Sequence, residues 1–528
     1  MRLLSRAPVL IGARIPSLFF STSAAGAGEV GDSTPYVELM NALAVPTHLS
    51  RTASVLHWDS MVNMPDSGGA QLQRSLQAEA LAGVIHEKLS SIGPLVDLVD
   101  PSTLTPLEQV NFRLASKTFN EALLVGPVLE KRKAKLEGEA YAAWTEARKK
   151  SGNFSIFQPA LSECFSLATE IARKKAPTTG AYTKMLDDFE VGMPEARIND
   201  IFDQVQQELV PLIKRVSKSL YQPSTLPLRG SFPLAAQDTL NGAICKAMTF
   251  TGRRDVSVHP FTTSFSSADV RITSRFSDSE WYQGLAGTIH EAGHALYESN
   301  LDPDPKPVNA ALSMGTHESQ SLFWERHVGL SRSFWDWCGP KVRHLLDVDA
   351  TDEQIFEAVN AVSPSLIRVE ADELTYPLHV IIRTEIERDV VNGVMSVEDI
   401  PRVWGEKYKQ LLGVDVPSDD KGCLQDVHWS GLAIGYFPTY LIGAIAAAQL
   451  EHYIRKDVPN FDQLIASGEF VEIREWLSAK IHVHGSKYDS LDAMLEDQVG
   501  EELNPEYFFK YLKSKYEAIY QLNKENEL

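Results

Sequence analysis

The stretch EWYQGLAGTIHEAGHALYESNL, residues 280–301, decides the reading of this chain. Trp281, Leu285, Ile289, Ala292 and Leu296 recur at helical spacing, which predicts an amphipathic helix with that stripe turned to a core. Ser277-Asp278-Ser279-Glu280, at its start, has the form of a capping box and predicts where the helix begins. On such a helix His290 and His294, spaced i, i+4, project from one face and can grip one metal ion. Glu291 then stands beside the ion, where a carboxylate can take a proton from a water acidified to a pKa of about 7. Gly293 lies between the histidines, where a helix interior would prefer alanine by about 1 kcal/mol, so another segment is expected to pack closely there. The pattern points to a zinc-dependent peptidase.

A catalytic zinc site usually has three protein ligands and an open position. A third histidine six residues after His294 is absent, because that position is Asn300. Glu298 lies one turn beyond His294 and is expected to cover the next turn instead of pointing back to the metal. Asp302 and Asp304 belong to a Pro-rich connector. Glu318 opens a second helical run, His317 to Glu325, that can return antiparallel to the first. Glu318 is therefore the candidate third ligand, with His317 or Glu325 expected to orient it.

These residues resemble the carboxypeptidase Taq family of metallocarboxypeptidases, which carries H-E-x-x-H followed by H-E-S-Q/G-S, here His317-Glu318-Ser319-Gln320-Ser321. Ile367-Arg368-Val369-Glu370-Ala371-Asp372-Glu373 is similar to the family's I-R-x-x-A-D-E, and the run Gly422 to Trp429 to its G-x-x-Q-D-x-H-W. Leu56-His57-Trp58-Asp59, His259-Pro260-Phe261-Thr262 and Asp269 to Thr273 extend the likeness over about residues 35–525. The resemblance implies a zinc or cobalt carboxypeptidase that takes residues singly from peptide C-termini, with a largely helical fold, a long central groove and a homodimeric assembly. It implies His290, His294 and Glu318 as metal ligands and Glu291 as general base. One position departs: the family often has Arg directly after H-E-S-Q-S, and here it is Leu322.

An exopeptidase must also recognise a free α-carboxylate, which a guanidinium fork fits better than an ammonium. Arg368 is the candidate, with a structural ion pair to Glu370 or Asp372 as the alternative and Arg271 and Arg275 as rivals. A donor to the developing oxyanion is expected from His428 or from a tyrosine of the run Gly435 to Tyr440, with Tyr436 preferred. Two other functions remain open. One is a groove-type oligopeptidase cutting internal bonds, the other a non-catalytic peptide-binding scaffold, against which the intact Glu291 and ligand set argue.

The rest of the chain fits one large body. It has 528 residues, 44% of them hydrophobic, with no clear linker and no evident repeat. Apolar spacing predicts helices over residues 70–89, 106–124, 128–150 and 195–220, while β-branched and aromatic residues between Asp255 and Phe276 predict a small sheet before the metal helix. The fold class expected is mainly α, with residues 29–528 as the catalytic domain. A net charge of −20 argues against nucleic acid as a partner, and the longest later apolar run, Tyr440 to Ala448, is too short to span a bilayer. Residues 1–28 carry Arg2, Arg6 and Arg14, the cluster Ser21-Thr22-Ser23 and no acid, which predicts a transit peptide and a mitochondrial location, with plastid or cytoplasm as alternatives. Cys164, Cys245, Cys338 and Cys423 are scattered and read as free thiols, with Cys423 near enough to the motifs that its oxidation is expected to inhibit.

Overall fold

The computed structural model describes residues 34–65, 67–149, 152–302 and 306–522. The leader assigned to residues 1–28 lies outside them. Helices α1 (Pro35–Val62), α2 (Gly68–Ser90), α3 (Gly93–Leu98), α4 (Pro106–Lys149), α5 (Phe154–Lys175), α6 (Ala181–Asp187), α7 (Glu195–Lys218) and α8 (Leu234–Ala247) precede a three-stranded sheet. Strands β1 (Arg253–Val256), β2 (Thr262–Ser266) and β3 (Asp269–Ser274) lie in the order β1-β3-β2, with β1 parallel and β2 antiparallel to β3. Helices α9 (Tyr282–Asn300), α10 (Met314–Leu322), α11 (Arg332–Leu346), α12 (Asp352–Val359), α13 (Tyr376–Val391), α14 (Ile400–Leu412), α15 (Pro438–Asp457), α16 (Phe461–Ser467), α17 (Val471–Lys480), α18 (Leu491–Val499) and α19 (Glu506–Ile519) complete a mainly α body.

Two apolar cores hold it. A small one joins α1, α2, α3 and α4 through Leu39, Leu43, Leu89, Ile92 and Phe119. The large one runs from α4 to α19, and α15 is buried on nearly every face, as its run Leu441 to Leu450 requires. The long helix α4 breaks at Gly126, where φ is +70° just before Pro127, a ring that cannot donate a helical hydrogen bond. The expected stripe of α9 is buried as predicted, with Trp281, Leu285, Ile289, Ala292 and Leu296 each at most 3% exposed. Each of its large side chains contributes about 1.5–3 kcal/mol on burial.

The start of α9 differs from the expected capping box. The helix begins at Tyr282, and Glu280 itself accepts from the backbone N–H of Tyr282 at 2.8 Å and of Gln283 at 3.0 Å. The carbonyls of Asp278 and Ser279 are taken instead by the N–H groups of Phe232 and Gly230, which ties residues 278–279 to the segment ahead of α8. Among the described residues, no helix is long and apolar enough to cross a membrane.

Candidate active site

Two helices and one strand bring the site together. Helix α9 is fixed at its middle by Thr288, whose hydroxyl lies 2.7 Å from both Ser274 Oγ on β3 and Asn241 Nδ2 on α8. One turn on, Gly293 faces α10 so closely that a Cβ there would lie 2.7 Å from the Gln320 carbonyl oxygen and from Ser321 Cα. The close approach that the glycine foretold is thus the α9–α10 crossing. Helix α10 is capped by Ser313, whose side chain accepts from Thr316 N, while Glu190 accepts from Ser313 Oγ and, at 2.8 Å, from Gly315 N. Behind it stands α15, where a Cβ on Gly443 would come within 2.7 Å of Glu318 Cβ.

The result is a trio. Donor atoms of His290, His294 and Glu318 all lie within 4.8 Å of one another, with His290 Nε2 3.9 Å and His294 Nε2 3.4 Å from the Glu318 carboxylate. Each histidine is held through its other nitrogen. His290 Nδ1 donates to Glu325 Oε2 at 2.7 Å. His294 Nδ1 lies 3.1 Å from the His317 carbonyl and 2.6 Å from His317 Nδ1, and His317 Nε2 reaches Glu298 Oε1 at 2.9 Å. A chain from Glu298 through His317 to His294 therefore leaves Nε2 of His294 free as a lone-pair donor, as Glu325 does for His290. His317 and Glu325 thus hold the histidines, not Glu318 as the sequence suggested.

Electrostatics fit this donor set to a divalent cation. Burial opposes charge on His290, yet Glu318 and Glu325 outweigh it and push its pKa up to about 9. Burial likewise opposes the Glu318 carboxylate, and the two histidines outweigh it, bringing its pKa down to about 2. Two carboxylates facing two imidazoles make a site whose charge favours a cation. Two nitrogen donors and one carboxylate suit zinc and neighbouring first-row ions.

Glu291 is buried beside the trio, on the floor of a groove of about 2130 Å³. Thr262 Oγ1, on β2, lies 2.7 Å from Glu291 Oε2, which leaves Oε1 free. In the sequence that threonine is part of a motif, with nothing beside it to signal a role.

Arg368 also lines the groove, but its fork is engaged. Nε and Nη2 donate to Asp426 Oδ1 at 3.1 and 2.8 Å, and Nη1 donates to Tyr376 Oη at 3.2 Å. The ion-pair partner is neither Glu370 nor Asp372 but Asp426, which also pairs with Arg383 at 2.6 Å. Between two guanidinium groups, the Asp426 carboxyl is held far below the usual carboxylate range although burial opposes its charge. Of the rivals, Arg271 pairs with Asp269 and stacks on Trp58, whereas Arg275 lines the groove. His428 hydrogen-bonds Tyr440 Oη at 3.1 Å, and burial with the nearby Arg368 brings its pKa down to about 3, so it is neutral in ordinary buffers. Tyr436 lines the groove in edge contact with Phe189 and Tyr440. Leu322 lines the groove as well.

Two groove residues went unnoticed in the sequence. Tyr376 stands between Arg368 and Arg326, whose guanidinium lies 4.9 Å from its ring. Arg326 follows Glu325 in a π-helical turn, Phe323–Val328, a widening that re-aims side chains and recurs at functional sites. The only sequence signal for it was its place next to Glu325. All four cysteines are buried and free, and burial raises every thiol, those of Cys164, Cys245 and Cys338 to about 12. Cys423 is therefore a poor target for oxidation, contrary to the expectation.

A mainly helical body whose groove floor carries H-E-x-x-H beside a helix-borne glutamate defines a metallopeptidase class of protein. The chain matches the model of the carboxypeptidase Taq (M32) metallopeptidases over residues 38–516, and it belongs to that family. It is 35% identical over 507 residues to carboxypeptidase 1 of Bacillus subtilis, covering 92% of this chain and 98% of that protein. It is 34% identical to thermostable carboxypeptidase 1 of Pyrococcus furiosus, with 89% and 95% covered. The solved structure of Trypanosoma cruzi metallocarboxypeptidase 1 superposes with a TM-score of 0.86 at 34% identity, over 91% of this chain and 99% of that one. The protein is a metallocarboxypeptidase, a hydrolase acting on peptides.

Proposed function

We propose that this enzyme releases single residues from peptides with a free C-terminus, with one divalent ion held by His290, His294 and Glu318 and with Glu291 as general base. The observation that carries the reading is the meeting of that trio with Glu291 on the groove floor. When bound, the ion supplies Lewis-acid polarisation of water and of the scissile carbonyl. Zinc suits the donor set best, and cobalt is compatible with it.

The chain's own groups do the rest. Thr262 holds Glu291 Oε2 so that Oε1 takes the proton from the attacking water and returns it to the leaving amine nitrogen. Glu325 and His317 keep the imidazoles in the tautomer that offers Nε2. A neutral His428 with Tyr440, or Tyr436 on the same wall, supplies a hydrogen bond to the developing oxyanion. Removal of Glu291 as Glu291→Gln is expected to lower kcat by about 10²–10⁴ with metal retained.

The deciding experiment follows a free-acid peptide and its C-terminally amidated twin by mass spectrometry, with and without zinc or cobalt. Stepwise, metal-dependent loss from the free acid alone supports the reading. Equal cleavage of both peptides overturns it in favour of an internal-bond oligopeptidase, and no cleavage under any metal in favour of a scaffold. The acid-free, Arg-bearing leader supports delivery to the mitochondrion, which imaging of the full chain fused to a fluorescent protein tests. The family resemblance supports a homodimer, which light scattering of the purified protein tests.

A further inference from the structure

A carboxypeptidase requires a cation for the α-carboxylate of the departing residue. Arg368 has its Nε and Nη2 on Asp426 and its Nη1 on Tyr376. Arg326 is the opposite case. It is 5% exposed, lines the groove, and its Nη1 is sealed from solvent without a hydrogen-bond partner. Among the described residues no carboxylate lies within ion-pair distance of it.

The three carboxylates that most favour the Arg326 charge, Glu325, Glu373 and Glu318, are each engaged elsewhere. Glu325 is on His290 at 2.7 Å. Glu318 belongs to the metal trio. Glu373 accepts from Lys515 at 2.6 Å, Tyr511 at 2.9 Å and Tyr516 at 3.1 Å. These carboxylates favour the Arg326 charge from a distance without touching the guanidinium, so its hydrogen-bonding fork is left for a ligand. The Tyr376 ring beneath Arg326 holds it flat, and the Tyr376 hydroxyl is itself held by Arg368.

Resting on the carboxypeptidase reading, we propose that Arg326, not Arg368, is the anchor that pairs with the α-carboxylate of the peptide's C-terminal residue, with Tyr376 as its platform and Arg368 positioning Tyr376. No side chain among the described residues hydrogen-bonds the other guanidinium nitrogens of this groove-lining arginine, and a planar fork suits a two-oxygen ligand.

The test uses the metal-loaded full chain and its R326M and R326K variants. The substrates are a peptide ending in Leu, the same peptide ending in Asp, and the C-terminal amides of both. R326M is expected to raise KM for both free acids about 100-fold and to erase the discrimination between acid and amide. R326K, which keeps charge but loses the fork, is expected to sit between the two. Calorimetric binding of the Leu-ended acid to E291Q and to E291Q/R326M, at matched metal content, gives the same comparison without turnover. Should R326M fail to fold, R326K carries it, with KM raised about 10-fold.

Discrimination kept by R326M within twofold overturns the proposal while leaving the carboxypeptidase reading intact. Loss confined to the Asp-ended peptide also overturns it, since Arg326 would then read a side chain. A parent enzyme that treats acid and amide alike removes the carboxypeptidase reading itself, and the anchor with it.

Discussion

Replacing Gly443 by alanine tests whether α15 sets the position of the candidate metal ligand Glu318. Gly443 lies inside α15, so on helix propensity alone alanine should stabilise the protein by about 1 kcal/mol. The new methyl, however, would stand 2.7 Å from Glu318 Cβ, 2.9 Å from Glu318 Cγ and 3.0 Å from the Gly315 carbonyl oxygen. Carbon atoms in contact prefer about 3.5–4.0 Å, so α10 must move away by several tenths of an ångström and take Glu318 with it. Overpacking of this kind costs about 1–3 kcal/mol, which leaves the metal-free protein destabilised by about 0–2 kcal/mol. Displacing one ligand of three should weaken metal binding about 10–100-fold, as loss of a ligand's support does. Urea unfolding of the metal-free protein measures the first quantity, and competition for zinc against a chelator the second. Gly405→Ala, in α14 where nothing lies within 4 Å of the added Cβ, is the control and should gain stability with unchanged metal affinity. If Gly443→Ala behaves like Gly405→Ala in both assays, the claim that α15 holds Glu318 in place is wrong.

Glu325→Ala removes the acceptor of His290 Nδ1 and should weaken zinc binding about 10–100-fold in the same competition assay, with the fold's melting temperature little changed. Metal uptake should also depend on pH. The His290 pKa is raised to about 9, so its proton stabilises the metal-free protein fully below about 6.5 and is lost as pH rises through 9. A metal must displace that proton, so zinc affinity measured between pH 6 and 9 should climb by about tenfold per unit and then level off. Asp426→Asn leaves Arg368 and Arg383 buried without their shared anion and should cost about 3–5 kcal/mol in chemical unfolding. Because the Asp426 pKa is depressed, its contribution is complete above about pH 4 and lost only as pH falls through its folded value. The gap between parent and variant should therefore be as wide at pH 4 as at pH 7.

Features encoded locally were legible in the sequence. The stripe of α9, the strands between Arg253 and Ser274 and the glycine at the α9–α10 crossing each follow from neighbours within a few residues. Glu318 was reachable because one helical return was the only arrangement needed to bring it to His290. What failed depended on partners far along the chain. Residues 277–280 look like a capping box, but backbone donors near Phe232 claim their carbonyls. Arg368 sits between Val369-Glu370 and Ile367, yet its anion is Asp426, which no local pattern links to it. Arg326 was invisible for a related reason. What marks it is the absence of a partner, and that shows only when the engagements of Glu325 and Glu373 are known.

The placement of Arg326 also bears on the order of binding. Glu318 and Glu325 face the same small volume as His290, and both lie close enough to Arg326 to favour its charge. In the metal-free protein, the proton on His290 and the arginine together balance those two carboxylates. On the proposed ligand set, a divalent ion at the trio would supply both positive charges there and release the His290 proton, so the arginine would lose its share of the balance. A peptide carboxylate then becomes the best remaining counter-ion for it. If Arg326 is the anchor, each ligand would strengthen the other through the two glutamates, and by linkage the metal should bind more tightly in the presence of a C-terminal carboxylate by the same factor that the carboxylate gains from the metal. An amidated terminus brings no charge to Arg326 and should leave metal affinity where it was. Selectivity for free C-termini would then rest on Arg326 and on the charge balance at the metal trio together, not on the arginine alone.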